Sequence, residues 1–213
     1  MTAKIALLQA NPLVGDILGN QMLICELANS AHDAGADFAV TSELVISGYP
    51  PRDLLLQSDF VKACQEAAFS LDTQIPILIG TPLVSENSRM LPGNGVVRTG
   101  ESAREITRKQ LLPTYDVFDE ARYFASDERP GIARTIAGLD IGVTICEDAW
   151  QHAGITPNDY DSDPIAQIMD WGRQGVNIDA TVNLSASPYH ANKAQVRIDV
   201  ARSAAKSLNH PFL

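Results

Sequence analysis

The sequence of 213 residues is 45% hydrophobic and 20% charged, a composition that is typical of a globular domain. Its formal net charge of −10 argues against nonspecific binding to nucleic acid or to anionic lipid. No apolar run is long enough for a signal sequence or a membrane span, and the three cysteines form no CxxC pair, so we expect a cytoplasmic protein. The four histidines show no metal-ligand spacing, so we expect no metal site.

The first half of the chain alternates apolar runs of strand length with stripes at helical spacing. The predicted elements are, in order, a strand at Ile5 to Leu8, a helix around residues 23–31, a strand at residues 38–40, a helix at residues 60–71 and a strand at residues 75–79. Gly35 is predicted to close the first helix and Gly80 to end the third strand. A hairpin is predicted at residues 92–108, with turn formers at Gly93, Gly95 and Gly100.

The second half continues this alternation. Leu139 to Ile145 is a continuous apolar run, which is typical of a strand buried on both faces. Residues 149–165 show no regular pattern and predict a surface loop next to the end of that strand. The remaining predicted elements are a helix at residues 165–172, a strand at residues 176–184, a helix from about Tyr189 to Leu208 and the opening of another strand at residues 211–213. Strands and helices in alternation favour a single layered α/β domain.

Three side chains follow predicted strands and could take part in chemistry. Cys146 ends the apolar run, and ligand sites in α/β folds lie beyond the carboxyl ends of strands. Glu43 also follows a strand, where a carboxylate is costly to bury unless it is hydrogen-bonded or functional. Lys109 follows a strand of mixed polarity. Taken singly, such residues are more often a packed cysteine, a solvated carboxylate and a surface lysine. The two other cysteines, Cys25 and Cys64, lie within helical stretches and are expected to be packed in the core.

Amide hydrolysis gives a physical reason to consider the three side chains together. It needs a thiolate that attacks the carbonyl carbon, a base that takes the thiol proton and later protonates the leaving amine, and a positive or N–H donor for the oxyanion. No histidine stands at a convincing strand end, so a glutamate and a lysine could share the task. Their spacing in the sequence does not by itself join them.

Four strings of the sequence carry a resemblance to a known family, and they are Thr41 to Leu55, Arg108 to Pro113 with residues 118–124, Ile145 to Trp150, and Asn183 to Tyr189. They resemble motifs of the nitrilase superfamily and occur in the same order as in that family. The Gly-Tyr-Pro-Pro-Arg-Asp-Leu form within the first string is similar to the branch of the superfamily that is attached to glutamine-dependent NAD synthetases. The resemblance extends from about Lys4 to Leu213. It implies an α/β fold arranged as a four-layer α-β-β-α sandwich.

The resemblance also implies functional residues. Glu43, Lys109 and Cys146 would form a catalytic triad that releases ammonia from glutamine through a thioester. Further positions would line the glutamine pocket or orient the triad, and these are Tyr49, Tyr115, Glu120, Glu147, Ser185 and Ser187.

In the mechanism that this resemblance implies, Glu43 takes the Cys146 proton, while the Lys109 ammonium and the backbone N–H of Glu147 stabilise the oxyanion. Glu120 holds the lysine in place. The carboxylate of Glu147, with the two serines nearby, binds the α-amino end of glutamine. We also expect the positive charge of Lys109 to favour a thiolate at Cys146, which would make this thiol more reactive than the two other cysteines.

Other parts of the family's proteins have no counterpart in this sequence. The family's domain continues beyond the position of Leu213, and an ATP-dependent synthetase domain with its own phosphate-binding loop follows in the same or a partner polypeptide. Gly93 to Gly95 is interpreted as a turn rather than as such a loop. We therefore expect residues 1–213 to be an incomplete nitrilase-like domain without a cofactor, with ATP and magnesium confined to the missing domain. The complete protein is expected to form a homo-oligomer.

Two other functions stay open at this stage. The chain could be a stand-alone amidase or nitrilase that acts on another small amide, and carboxylates placed near the substrate's α-amino group would argue against that function. The chain could instead be an inactive, truncated module that serves in binding or in structure.

Overall fold

The computed structural model describes residues 3–85, 87, 90–100, 103–128, 130–188, 191 and 193–213, with the backbone alone for residue 135. The strands among these residues are β1 (Ile5–Leu8), β2 (Phe38–Thr41), β3 (Ile77–Leu83), β4 (Gly93–Arg98), β5 (Arg104–Arg108), β6 (Gly131–Ile136), β7 (Leu139–Ile145) and β8 (Ala180–Leu184). The α-helices are α1 (Ile17–Asp33), α2 (Ser58–Phe69), α3 (Pro164–Arg173) and α4 (Lys193–Leu208).

The strands form two sheets. The first has the order β1-β2-β3-β4-β5, in which β1, β2 and β3 are parallel and the last two strands are added antiparallel. The second has the order β6-β7-β8, with β7 and β8 parallel. The predicted strand opening at the last residues is confirmed, because Phe212 forms a parallel bridge with Thr181 beside β8. The Thr181 carbonyl accepts the Leu213 N–H at 2.9 Å.

Two faces of these sheets pack against each other, and helices cover the opposite faces. The core between the sheets joins Phe38 and Leu78 of the first sheet to Val143 of the second. Ile24 of α1 and Cys64 of α2 pack on the other face of the first sheet. On the side of the second sheet, α3 and α4 share a further apolar cluster. The predicted four-layer α-β-β-α sandwich is confirmed.

The sandwich brings several strand ends to one place. Glu43 follows β2 and Cys146 follows β7, while Ser185 follows β8, which is parallel to β7. Lys109 comes directly after β5 in the first sheet. Residues distant in the sequence therefore meet at one edge of the two packed sheets, which is where layered α/β folds place their ligands.

Three glycine predictions were wrong, and the packing shows why. β3 does not end at Gly80 but runs on to Leu83, and Gly93 and Gly95 lie inside β4 rather than in turns. A side chain at Gly93 or Gly95 would overlap with Arg108 or Leu83, which pack across the strand. These two glycines therefore leave space for the large side chains of Arg108 and Leu83. Of the three predicted turn formers, only Gly100, at φ +96°, has the left-handed backbone expected of a turn.

Other boundaries also differ from the predicted ones. β6 was not predicted, since Arg134 interrupts its apolar pattern. β8 begins at Ala180 rather than at Val176, because the Val176 N–H donates back to the Trp171 carbonyl and closes the end of α3. The predicted start of the last helix at Tyr189 lies outside the described residues. The segment at 149–165 is confirmed as an irregular connection with short 3₁₀ turns up to residue 163, but its last two residues belong to α3, which begins at Pro164.

Gly80 provides a test of how the fold positions Glu43. A methyl group at this position would lie 2.5 Å from the Ser42 carbonyl oxygen and 2.9 Å from the Glu43 Cα. We expect Gly80→Ala to lower the free energy of unfolding by about 1–3 kcal/mol, as overpacking does. Gly172→Ala is the matched control, because its methyl group meets nothing within 4 Å in α3 and replaces glycine in a helix. Equal stability of the two variants in urea unfolding would contradict this account.

Candidate active site

Glu43 lies at the centre of a buried hydrogen-bond network. The residue is 1% exposed. The Oε1 atom accepts hydrogen bonds from the Lys109 ammonium at 2.8 Å and from the Asn94 amide at 2.7 Å. The Oε2 atom accepts the Ala186 N–H at 3.0 Å. Elements from both sheets thus fix the position of this carboxylate.

Lys109 is fully buried between two carboxylates. Its Nζ donates to Glu43 at 2.8 Å and to Glu120 Oε2 at 2.6 Å. Burial alone would lower the pKa of Lys109, but the charges of Glu120 and Glu43 outweigh it and hold this pKa above its ordinary value. Lys109 is therefore a permanent ammonium at neutral pH. The structure brings together three of the residues that the sequence singled out.

Glu120 completes the network on the far side of the lysine. The Tyr49 hydroxyl donates to Glu120 Oε1 at 3.1 Å. Tyr49 therefore holds this carboxylate in place and also forms part of the wall of the site. Burial raises the pKa of Glu120 to about 7, although the Lys109 charge acts in the opposite direction. The expected contact between Glu120 and the Lys109 side chain is present.

Cys146 stands at the end of β7 in a left-handed backbone conformation, at φ +46°. Its carbonyl oxygen accepts the Asn183 amide at 3.2 Å, and its side chain hydrogen-bonds with Ser185. The residue is 4% exposed. A non-glycine residue at positive φ is uncommon outside turns and special sites, so the surrounding contacts must hold the thiol in this position.

The Lys109 charge favours a thiolate at Cys146, as expected, but the net shift of the Cys146 pKa is in the opposite direction. Burial, followed by the charge of Glu43, raises the pKa of Cys146. The Lys109 charge acts to lower this pKa but does not prevail, since two carboxylates already balance it. Cys146 is thus a neutral thiol in the resting site. It requires a base to become a nucleophile.

Asp148 ties the cysteine turn to the segment that follows Lys109. Its Oδ1 accepts the N–H groups of Gln110 and Leu111 at 3.1 and 2.9 Å, and its Oδ2 accepts the Ile145 N–H at 3.0 Å. Burial raises the pKa of Asp148 to about 7 even though these three donors favour the ionised form. One buried side chain thereby fixes the relative positions of two strand ends.

Glu147 lies in a separate part of the site with two tyrosines. The hydroxyls of Tyr115 and Tyr160 donate to its Oε1 at 2.8 and 3.2 Å. Burial raises the pKa of Glu147, and the two hydroxyls act in the opposite direction. Both tyrosine hydrogen bonds fall on the same carboxylate oxygen, and Glu147 is buried.

A cleft of about 600 Å³ opens above the network. Glu43, Tyr49, Ser185 and Ser187 line it, together with Arg197. The two serines lie in the turn after β8, as expected, and Ser185 also contacts the Cys146 side chain. Ser187 contributes a hydroxyl that has no hydrogen-bond partner among the described residues. The cleft is large enough for a small amino-acid substrate.

Four residues of the network escaped the sequence analysis. Asn94 lies in β4 between two glycines and Tyr160 in the irregular segment, so neither stood out by pattern. Asp148 and Asn183 lie within motif strings, but only their contacts show that they position Cys146. Burial of a polar side chain was the signal that could have found Asn94, since such groups need partners.

Two structural features are absent from the described parts of the chain. No group of three or more histidine, cysteine, aspartate or glutamate side chains is arranged there to hold a metal ion. None of the helices that the structure describes is both long enough and apolar enough to cross a membrane.

The sequence matches a known family and a set of known proteins. The profile of the carbon-nitrogen hydrolase family matches residues 4–162. The glutamine-dependent NAD(+) synthetase of Synechocystis sp. is 38% identical over 98% of this chain, and that of Thermotoga maritima is 33% identical over 92% of it. The chain spans 38% of the length of the first relative and 32% of the second.

Solved structures show the same architecture. The glutamine-dependent NAD+ synthetase from Acinetobacter baumannii, in complex with ADP, superposes with a TM-score of 0.82 and 28% identity, over all of this chain and 38% of that one. A cysteine-to-alanine mutant of an amidase of the nitrilase superfamily from Nesterenkonia superposes with a TM-score of 0.69 and 17% identity, over 95% of this chain and 72% of that one. At that identity the amidase supports the fold alone.

The raised pKa of Glu120 predicts a specific pH dependence of stability. Folding shifts the pKa from its ordinary value of 4.5 to about 7, so the folded protein binds a proton that the unfolded chain releases within this window. The free energy of unfolding should therefore fall as pH rises from about 5 to 7.5, and Glu120→Gln should lack this contribution. Urea unfolding at both pH values measures it.

The control variant for this experiment is Glu66→Gln. It removes the same charge from an exposed position on α2, where Glu66 pairs with Lys62. If Glu120→Gln and wild type lose the same stability between the two pH values, Glu120 does not titrate as described.

Proposed function

The chain belongs to the carbon-nitrogen hydrolase family, and from the arrangement of its site we propose that it hydrolyses the side-chain amide of glutamine to release ammonia. One observation carries this proposal. A buried ammonium, Lys109, lies between two carboxylates, and one of these, Glu43, interacts with the neutral Cys146 thiol. Such a site holds a nucleophile, a base and a fixed positive charge close together.

The first half of the proposed reaction forms a thioester. Glu43 takes the thiol proton as the Cys146 sulfur attacks the amide carbon of glutamine, and a C–S bond forms. The resulting oxyanion is stabilised by the Lys109 ammonium and by the backbone N–H of Glu147. The C–N bond then breaks, and the proton held by Glu43 passes to the leaving nitrogen, so that ammonia departs.

The second half hydrolyses the thioester. Glu43, again ionised, takes a proton from water as the water oxygen attacks the thioester carbon. The C–S bond breaks, glutamate is released, and the proton returns to the cysteine sulfur. Lys109 stays protonated throughout, since the carboxylates of Glu43 and Glu120 hold its pKa high. Its role in this scheme is therefore electrostatic.

Glutamine is favoured over a simple amide by the position of Glu147. Glu147 directly follows the catalytic cysteine in the sequence, and two tyrosine hydroxyls hold its carboxylate. This carboxylate could pair with the α-ammonium group of an amino acid. Ser185 and Ser187 line the cleft, and Arg197 adds a positive charge that suits the α-carboxylate. A simple amide would leave these charged groups without partners.

The names of the relatives suggest where the ammonia goes. Those proteins are glutamine-dependent NAD synthetases, and the chain corresponds to about a third of their length. We propose that residues 1–213 act as the glutaminase part of such an enzyme in the cytoplasm, and that the complete protein is a homo-oligomer. ATP and magnesium would then act in a synthetase domain, in the same or a partner polypeptide, which consumes the ammonia.

Cys146 should be the thiol that reacts with substrate analogues. We expect a glutamine-like chloroketone to label Cys146, and Cys146→Ala to lose this labelling together with at least about a 10⁴-fold reduction in ammonia release. Peptide mapping and an ammonia assay measure the two effects. Cys25→Ala and Cys64→Ala are the controls and should keep both. Labelling spread evenly over the three cysteines would contradict a privileged nucleophile.

Glu147 should determine the preference for an amino-acid amide. Glu147→Gln keeps an oxygen for the two tyrosine hydroxyls but removes the negative charge. We expect KM for glutamine to rise about 10- to 100-fold, since a hydrogen bond to a charged group contributes about 1.5–3 kcal/mol. Hydrolysis of butyramide, which has no α-amino group, should change little. An equal effect on both substrates would mean that Glu147 does not recognise the α-ammonium.

A further inference from the structure

Asn94 contacts the proposed base, Glu43, and has no role in the reaction scheme proposed above. It belongs to β4, it is 1% exposed, and its neighbour across the sheet is Pro82 of β3. Its side-chain amide donates to Glu43 Oε1 at 2.7 Å. Its backbone carbonyl accepts the Lys109 N–H at 2.7 Å. One residue therefore contacts both the base and the lysine.

The two oxygens of Glu43 differ in how many donors they face. Oε1 accepts from Lys109 and Asn94, which occupies both of its lone-pair directions. Oε2 accepts only the Ala186 N–H among the described hydrogen bonds and so keeps one direction open. A carboxylate whose first oxygen is saturated can receive a new proton only on the second.

We propose that Asn94 is a positioning residue that saturates Glu43 Oε1 and thereby directs Oε2 to exchange protons with the Cys146 thiol and the leaving ammonia. This inference rests on the proposed amide hydrolysis. The donor at this place is neutral, so it fixes the carboxylate without adding a second positive charge that would weaken the base. Lys109 alone could not set the rotation of the carboxylate, since it also pairs with Glu120.

A purely structural role does not explain an asparagine at this position. The amide must turn its NH₂ group towards Glu43, because an oxygen there would face another oxygen acceptor. Its own Oδ1 is then buried with no partner among the described residues. A buried unpaired acceptor destabilises a fold, and an apolar side chain would avoid that cost. The donor towards Glu43 is the feature of Asn94 that an apolar residue lacks.

The test compares two variants and one control in the full-length protein. Asn94→Ala removes the donor, and Asn94→Asp replaces it with a carboxylate that faces Glu43. Thr99→Ala is the matched control, since Thr99 is also 1% exposed and accepts the Ile77 N–H just beyond β4, away from the base. The measurements are kcat and KM against pH for ammonia release, thermal unfolding, and the pH dependence of Cys146 alkylation by iodoacetamide.

For Asn94→Ala we expect kcat to fall by about 10²-fold, as when a catalytic group is misplaced, with KM nearly unchanged. The acidic limb of the pH profile should move to higher pH, because the ionised carboxylate has lost a donor. Asn94→Asp should move it further. The alkylation profile should shift in the same direction. Thr99→Ala should lower the unfolding temperature but leave both profiles in place.

Unchanged pH profiles in both Asn94 variants would overturn the proposal, even if activity fell together with stability. The alkylation measurement separates this failure from a failure of the proposed function. If wild type releases no ammonia from glutamine, glutamine hydrolysis is refuted, while a shifted alkylation profile in the Asn94 variants still supports the link from Asn94 through Glu43 to Cys146.

Discussion

The site depends on one buried charge. The Lys109 side chain is fully buried, and an unpaired ammonium there would be too costly to retain. Its two carboxylate partners come from the segment after β2 and from the turn at residues 120–122. Removing one partner from a buried pair of this kind typically destabilises a protein by about 3–5 kcal/mol. The ion pairs of Lys109 therefore hold together three separate segments of the chain, those that carry Glu43, Lys109 and Glu120.

The same interaction shapes the chemistry around Cys146. With Lys109 already balanced by Glu43 and Glu120, little positive charge is left to ionise the thiol, and burial raises the pKa of Cys146. The sulfur thus becomes nucleophilic only when a base takes its proton. Asp148 and Asn183 hold the cysteine turn, and Asn94 holds the Glu43 carboxylate, so the reaction proposed above would require little rearrangement.

The sequence predicts the layers of the fold, and its motif strings single out Glu43, Lys109 and Cys146, but it does not predict the contacts that position them. Glu43 and Lys109 meet in the fold, and the catalytic role of the three residues stays a prediction. Asn94 was missed because its strand, Gly93–Arg98, contains glycines that suggest turns, whereas they make room for Leu83 and Arg108. The ionisation of Cys146 could not be predicted either, since it follows from charges that meet only in the folded chain.

A double-mutant cycle of Lys109→Met and Glu120→Gln, measured by the free energy of unfolding, tests this electrostatic account most directly. Lys109→Met leaves the carboxylates of Glu43 and Glu120 buried without their cation. The account predicts that adding Glu120→Gln to Lys109→Met restores stability, with a coupling energy of about 0.5–3 kcal/mol between the two positions. Additive losses of stability from the two substitutions would show that the buried lysine does not hold the site together.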